Sequence, residues 1–262
     1  MPRFSRFRAI RQSAFRTRPT ETRPPSLVSH RRAGWLANRR NPDRLQPMCT
    51  AYELGKRGGS FPDHLNSEAV DILLEISGSH LIRPTIPAPV ILADGSPRTM
   101  HWGFRRAFTG TGKSPKPTWR TIVNSREDKL DGTTWKSAFA ERRCLVPAAA
   151  FYEWVEIERR NVPLRFERPS GEWIWIAGIW EEDPQRGACF SMITTEPNSV
   201  LAKVHDRMPA VLGDTQISPF LRGELHTFGP SAVALEFREA PNFLRTKSSA
   251  KGRPPLSQGE LF

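Results

Sequence analysis

The longest strongly apolar run in this 262-residue chain is WIWIAGIW at 173–180, and its shortness limits what the chain can build. A membrane-spanning helix needs about 20 consecutive apolar residues, so no such span is expected. A short run rich in Ile and Trp reads instead as a buried strand. Further strand patterns lie at 119–124 (WRTIVN), 143–146 (RCLV), 150–155 (AFYEWV), 163–167 and 188–194. Prolines at 84, 87 and 89 impose an extended path into the apolar residues Val90 to Leu92, and Asp94-Gly95 then marks a turn. Helical spacing is scarcer. Residues 66–77 carry Val70, Leu73, Leu74 and Ile76 behind an Asn or Ser cap, and 133–141, 197–204 and 215–222 are further helix candidates. Many short strands with few helices predict an α+β fold: one compact domain around a curved, mainly antiparallel, barrel-like sheet.

The formal charge of +12 suggests a nucleic-acid partner, but its distribution changes that meaning. Residues 1–47 contain twelve Arg, no Lys and two acids, Glu21 and Asp43, so this stretch holds +10 and residues 48–262 hold +2. Any affinity of the folded part for DNA must therefore come from a local patch. The first 47 residues show neither a helical nor a strand period and are expected to be disordered. They read either as a leader or as sequence upstream of a true start at Met48. Their Arg-rich, acid-poor character also resembles a transit peptide, so organellar targeting stays open beside a cytoplasmic, nucleoid-associated location. The domain is expected over 48–250 and a flexible tail over 251–262.

Cys49, Cys144 and Cys189 have no CxxC spacing and no adjacent His, which speaks against a zinc site or a disulfide framework, and no cofactor is expected. Four constellations carry chemistry. Removing Met48 would leave Cys49 with an amine and a thiol on adjacent carbons. That amine is partly neutral near physiological pH and can attack an aldehyde. Cys49 can equally be an ordinary buried cysteine. In NSRED at 124–128, Asn124 can orient a reacting oxygen without titrating and Arg126 can grip a phosphate, or the motif is a polar strand end. In RRCLVPAAAFYEW at 142–154, period-2 alternation puts Phe151 and Glu153 on one face and Tyr152 and Trp154 on the other. Glu153 on a partly apolar face is a proton shuttle, or else it faces solvent on an edge strand. In VHDRMP at 204–209, His205 suits proton transfer, Asp206 could fix its tautomer and Arg207 could hold a phosphate, or His205 is structural.

Taken together and in this order, MC at 48–49, WGF at 102–104, NSR at 124–126, RRCLVPAAAFYEW and HDRMP at 205–209 resemble the SOS response-associated peptidase (SRAP) family of abasic-site processing proteins. The resemblance covers residues 48–212 and extends more faintly to about 250. It implies a curved antiparallel sheet around a positively charged DNA groove. It also implies a terminal Cys that forms a thiazolidine link to the ring-opened sugar of an abasic site in single-stranded DNA, with peptidase or lyase activity attached. By that resemblance Cys49 is the nucleophile, Asn124 holds the sugar, Glu153 moves protons, and His205 protonates the sugar oxygen. Arg126 and Arg207 match phosphate contacts, Trp102 an aromatic of the groove, and Thr194 a small hydroxyl residue lining the site. No metal or membrane partner is implied, and a monomer is expected.

Two departures stand out. After the cysteine the commonest family pattern is Gly-Arg-Phe, whereas this chain has Thr50-Ala51-Tyr52, so a DNA-touching Arg is absent. Cys49 is also internal as the chain is written, and an amide nitrogen forms neither imine nor ring. The alternative is a non-covalent single-stranded DNA binding module that keeps its basic extension. A cysteine protease built on Cys144 or Cys189 with His205 is weaker, because both cysteines sit in apolar, strand-like runs.

Overall fold

A computed structural model describes residues 49–109, 117–157 and 160–243; the expectations for residues 1–47 and 251–262 lie outside them. In chain order the first elements are β1 (Ala51–Gly55), α1 (Ser67–Glu75), β2 (Ser79–Ile82), β3 (Pro87–Leu92), β4 (Pro97–Trp102), β5 (Phe104–Thr109), β6 (Pro117–Ile122) and β7 (Asn124–Arg126). There follow α2 (Lys136–Glu141), β8 (Arg143–Ala148), β9 (Ala150–Ile157), β10 (Arg160–Glu167), β11 (Ile174–Asp183), β12 (Gly187–Thr195), β13 (Met208–Pro209), α3 (Asp214–Leu221) and β14 (Glu236–Glu239). The fold is α+β and mostly β, as the short apolar runs imply.

One sheet closes on itself. Its strands pair in the order β11-β8-β3-β4-β12, and β12 returns to β11, giving a five-stranded barrel. β12 is its busiest strand, parallel to β4 at Phe190↔Trp102 and to β7 at Met192↔Asn124 and Thr194↔Arg126, with β13 antiparallel at Thr194↔Pro209. The second sheet runs β14-β10-β9-β1-β2, antiparallel throughout. The chain passes from barrel to second sheet between β8 and β9, through Ala148, Ala149 and Ala150, all fully buried. Methyl side chains permit the close backbone approach that this corner needs, and the Ala149 N–H donates to the Glu53 carbonyl at 2.7 Å.

Local chemistry explains the smaller features. The Asn66 side chain accepts from the Ala69 N–H at 2.9 Å and starts α1. The β3–β4 turn places Gly95 at φ 82, where a Cβ would lie 2.1 Å from the His64 carbonyl oxygen, so only glycine fits. The segment 197–204 departs from its expected helix. Asn198 Oδ1 accepts from the Val200 and Leu201 N–H groups, and only a 3-10 turn forms at Leu201–Lys203. Asn here competes with helix propagation by bonding its own local backbone. No helix among the described residues is long and apolar enough to cross a membrane.

Candidate active site

The two sheets meet where β1 begins. Cys49 precedes β1 by two residues, and β1 lies against β9 in the register Ala51↔Tyr152. This pairing aims the backbone nitrogen of Cys49 at Glu153, whose Oε1 accepts from it at 2.8 Å. Glu153 is buried on a strand flanked by β1 and β10, not on an edge. The alternation expected along FYEW holds: Phe151 joins the main core, while Tyr152 and Trp154 pack with Ala51, Leu81 and Phe243 on the opposite face. Burial raises the Glu153 carboxyl well above the usual carboxylate range; the Cys49 N–H opposes this, and the negative charge of Asp206 adds to it.

Cys49 itself is fully buried, with φ 33 in the left-handed region that a side chain disfavours. Its thiol faces the Ala51 carbonyl oxygen at 3.7 Å. Burial, and then the nearby Glu153 charge, push the thiol pKa well up, so the sulfur stays protonated near neutral pH. Asn124 Nδ2 donates to the Cys49 carbonyl at 3.4 Å. Cys49, Glu153 and Asn124, more than 70 residues apart in sequence for each pair involving Cys49, thus form one hydrogen-bonded unit.

β12 assembles the rest. Its register brings Arg126 beside Thr194 on one side and Pro209 on the other. Arg207 Nη2 donates to the Thr194 carbonyl at 2.5 Å. Thr194 Oγ1 and Arg207 Nε are buried polar atoms without a hydrogen-bond partner among the described residues. His205 Nδ1 lies 2.9 Å from Asp206 Oδ1 and 3.1 Å from the Arg207 backbone N–H. A protonated Nδ1 donates to Asp206; an unprotonated one accepts from Arg207. The tautomer of His205 therefore answers to both neighbours.

Trp102 requires a correction. Its ring is 0% exposed, edge-on to Tyr52 and stacked on Phe190, and its Nε1 donates to the Val123 carbonyl at 3.1 Å. With both faces taken by protein, it offers no stacking surface to a base. Exposed aromatics occur instead on the β5–β6 hairpin, where Arg105 stacks over Trp119 at 3.4 Å and Arg120 over Phe108 at 5.1 Å. The alternation of Arg with aromatic residues in FRRAF at 104–108 was the available signal. Cys144 and Cys189 are buried and free. Burial drives the Cys144 thiol far up and, with Asp183 assisting, takes Cys189 up to about 11, so neither suits nucleophilic attack. Among the described residues no group of three or more His, Cys, Asp or Glu is placed to hold a metal ion.

The SOS response associated peptidase (SRAP) family model matches residues 48–240. The chain is 27% identical over 179 residues to abasic site processing protein YoqW of Bacillus subtilis, covering 64% of this chain and 77% of that one. It is 26% identical over 223 residues to abasic site processing protein HMCES of Xenopus tropicalis, covering 71% and 65%. A crystal structure of a protein from Bacteroides thetaiotaomicron shares the fold, with a TM-score of 0.57 at 16% identity over 76% of this chain and 95% of that one. Another, from Bordetella bronchiseptica, gives 0.53 at 19% identity over 74% and 100%. With the family match spanning both sheets and every residue of the site just described, the chain belongs to the SRAP family.

Proposed function

We propose that this chain processes abasic sites in single-stranded DNA, using Cys49 as a covalent trap once its nitrogen is a free amine. The observation that carries this reading is the 2.8 Å contact between the Cys49 nitrogen and the buried Glu153 carboxyl. A nitrogen about to condense with a carbonyl must lose protons, and the hydroxyl it displaces must gain one. A buried carboxyl with a raised pKa does both.

In the proposed reaction the amine attacks the aldehyde carbon of the ring-opened sugar, forming a C–N bond. The carbinolamine oxygen leaves as water, its proton supplied through Glu153, and an imine remains. Cys49 Sγ then adds to the imine carbon while its proton passes to nitrogen, closing a five-membered thiazolidine. His205 protonates the sugar ring oxygen during opening, Asn124 orients the sugar, and Arg126 and Arg207 meet the flanking phosphates. Exposed Trp119 and Phe108 supply faces for unpaired bases. Peptidase action is proposed only for exposing Cys49, and lyase action for reversal of the link.

The test compares three chains mixed with an oligonucleotide containing one abasic site: one starting at Met48 and verified by mass to begin at Cys49, the full chain with its leader, and Cys49→Ala. The first should give a band that survives denaturant, Cys49→Ala none, and the full chain a band only in proportion to the fraction whose mass shows that residues 1–48 have been removed. A covalent band from Cys49→Ala would overturn the mechanism. The fully buried thiol makes that variant cost about 1 kcal/mol of stability, so its folding is checked by thermal melting.

A further inference from the structure

The two arginines assigned to phosphate are already occupied, and by the same carboxylate. Arg126 grips Asp128 in a two-pronged arrangement, Nε to Oδ1 at 3.0 Å and Nη2 to Oδ2 at 2.9 Å. Arg207 Nη2 approaches the same Oδ1 at 3.6 Å, and Lys129 Nζ the other oxygen at 4.0 Å. Three cations thus converge on one anion. Two parallel N–H···O bonds are the geometry in which guanidinium also holds two oxygens of a phosphate.

The carboxylate is fixed where it stands. Asp128 lies on a 3-10 turn at Glu127–Lys129, and the preceding Glu127 anchors that turn by accepting from the Phe228 N–H at 2.7 Å and from the Thr195 hydroxyl. The cluster is nevertheless open to exchange. The side chains of Arg126 and Asp128 are 59% and 45% exposed, while Arg207 at 16% is held by the Thr194 carbonyl. Exposed pairs of this kind are weak and screened by salt, so an incoming strand phosphate can compete with the carboxylate for the same donors. Arg126 also holds the Asp128 carboxyl below the usual range, so the anion is present at every pH where DNA would bind.

We propose that Asp128 is a built-in phosphate surrogate: it occupies the backbone-phosphate seat formed by Arg126 and Arg207, and a DNA strand enters by displacing it. This deepens, and rests on, the abasic-site reading. Asp128 weakens binding to any strand and thereby reserves tight engagement for DNA that the covalent step retains. The neighbouring Arg–Asp pairing also keeps the two guanidinium groups spaced for a phosphate before DNA arrives.

The test uses the full chain and unmodified oligo-dT, which carries no aldehyde. Asp128→Asn should bind about three- to fivefold tighter than the parent. The control is Glu224→Gln, which changes net charge equally and frees Arg222 from a pair of similar geometry at 2.7 and 2.8 Å; it should change affinity less than about twofold. The Asp128→Asn gain should vanish in an Arg126→Ala background and on a methylphosphonate oligonucleotide, whose backbone is uncharged. Equal effects of Asp128→Asn and Glu224→Gln, or a gain that survives loss of Arg126, would overturn the proposal. Crosslinking to abasic DNA by the Cys49-first chain without an Asp128→Asn effect sinks the surrogate alone; absence of both crosslinking and oligo-dT binding sinks the abasic-site reading with it.

Discussion

Glu153 and Cys49 hold each other in states that neither would adopt in water. The carboxyl is pushed up by burial and held partly in check by the Cys49 N–H. Glu153→Gln keeps the shape but removes the proton exchange. Crosslinking should slow by about 100-fold or more in single-turnover gels, while oligo-dT affinity stays within about twofold; an equal fall in both would make Glu153 structural. The sign of its effect on stability also follows. The folded chain keeps the Glu153 proton at a pH where the unfolded chain, with a carboxyl near about 4.3, has lost it. Stability therefore falls as pH rises through the folded pKa, and Glu153→Gln should flatten that fall in denaturant titrations. A free amine at residue 49 would share a proton with Glu153, so that amine and carboxyl titrate as a pair and the neutral amine with a protonated carboxyl is the form that attacks. It would also abolish the φ of residue 49 as a constrained torsion, relieving the left-handed backbone. Tyr52 offers a different kind of test. Its hydroxyl is buried with no hydrogen-bond partner among the described residues, and the ring packs edge-on against Trp102. Tyr52→Phe should be neutral or stabilising by about 1 kcal/mol in chemical denaturation, because it removes an unpaired buried group and leaves the packing.

At the scale of elements, the β5–β6 hairpin is the part whose surface is unlike the rest. It forms a two-stranded sheet of its own, tied to the barrel by Arg106 and Glu181. Trp119 is 51% exposed beneath the Arg105 guanidinium. In the proposed function it stacks on a base, so Trp119→Ala should weaken oligo-dT binding by about 1–3 kcal/mol with an unchanged melting temperature. Loss of stability without loss of binding would assign it to the scaffold. Most elements were legible beforehand: α1 with its Asn66 cap, α2, α3, the β3–β4 turn and β8 to β12 follow from period and punctuation. β1, β2, β5, β13 and β14 escaped, because they are short or their residues carry mixed polarity. Tyr52 and Glu53 are adjacent and both buried, a pattern that period-2 reading cannot distinguish from loop. The helix expected at 197–204 yielded to the Asn198 side chain.

Across the whole molecule, an ionic ladder, buried at Glu53 and Arg165 and exposed at Arg238, joins four strands of the second sheet. Glu53 on β1 accepts from Arg165 of β10 at 2.9 and 3.1 Å and from the Tyr152 hydroxyl of β9 at 2.8 Å, and Glu167 of β10 accepts from Arg238 of β14 at 3.1 Å. It fixes the register of β1, and so the seat of Cys49. Burial pushes Glu53 upward, but the Arg165 and Tyr152 hydrogen bonds outweigh it and leave the carboxyl below its ordinary range. Its contribution is therefore fully present above the unfolded value of about 4.3 and disappears as pH falls through the folded one. Glu53→Gln should cost about 3 kcal/mol near neutral pH, and parent and variant should converge in acid; a constant gap down to low pH would refute the ionic role.

The sequence by itself determined which residue types were present for the chemistry, that strands would dominate, and where many of them turn, since these are properties of neighbouring residues. It also grouped Cys49, Asn124, Glu153, His205, Arg126 and Arg207 as candidates through their motifs. Only the tertiary structure decided that Trp102 is walled in by Tyr52 and Phe190, that Glu153 lies between two strands, and that Asp128 sits on both arginines. Strand periodicity says which side chains share a face; it does not say which distant strand will lie against that face. Closing the barrel through β12, and docking β1 onto β9 across about a hundred residues of chain, are choices made by long-range packing.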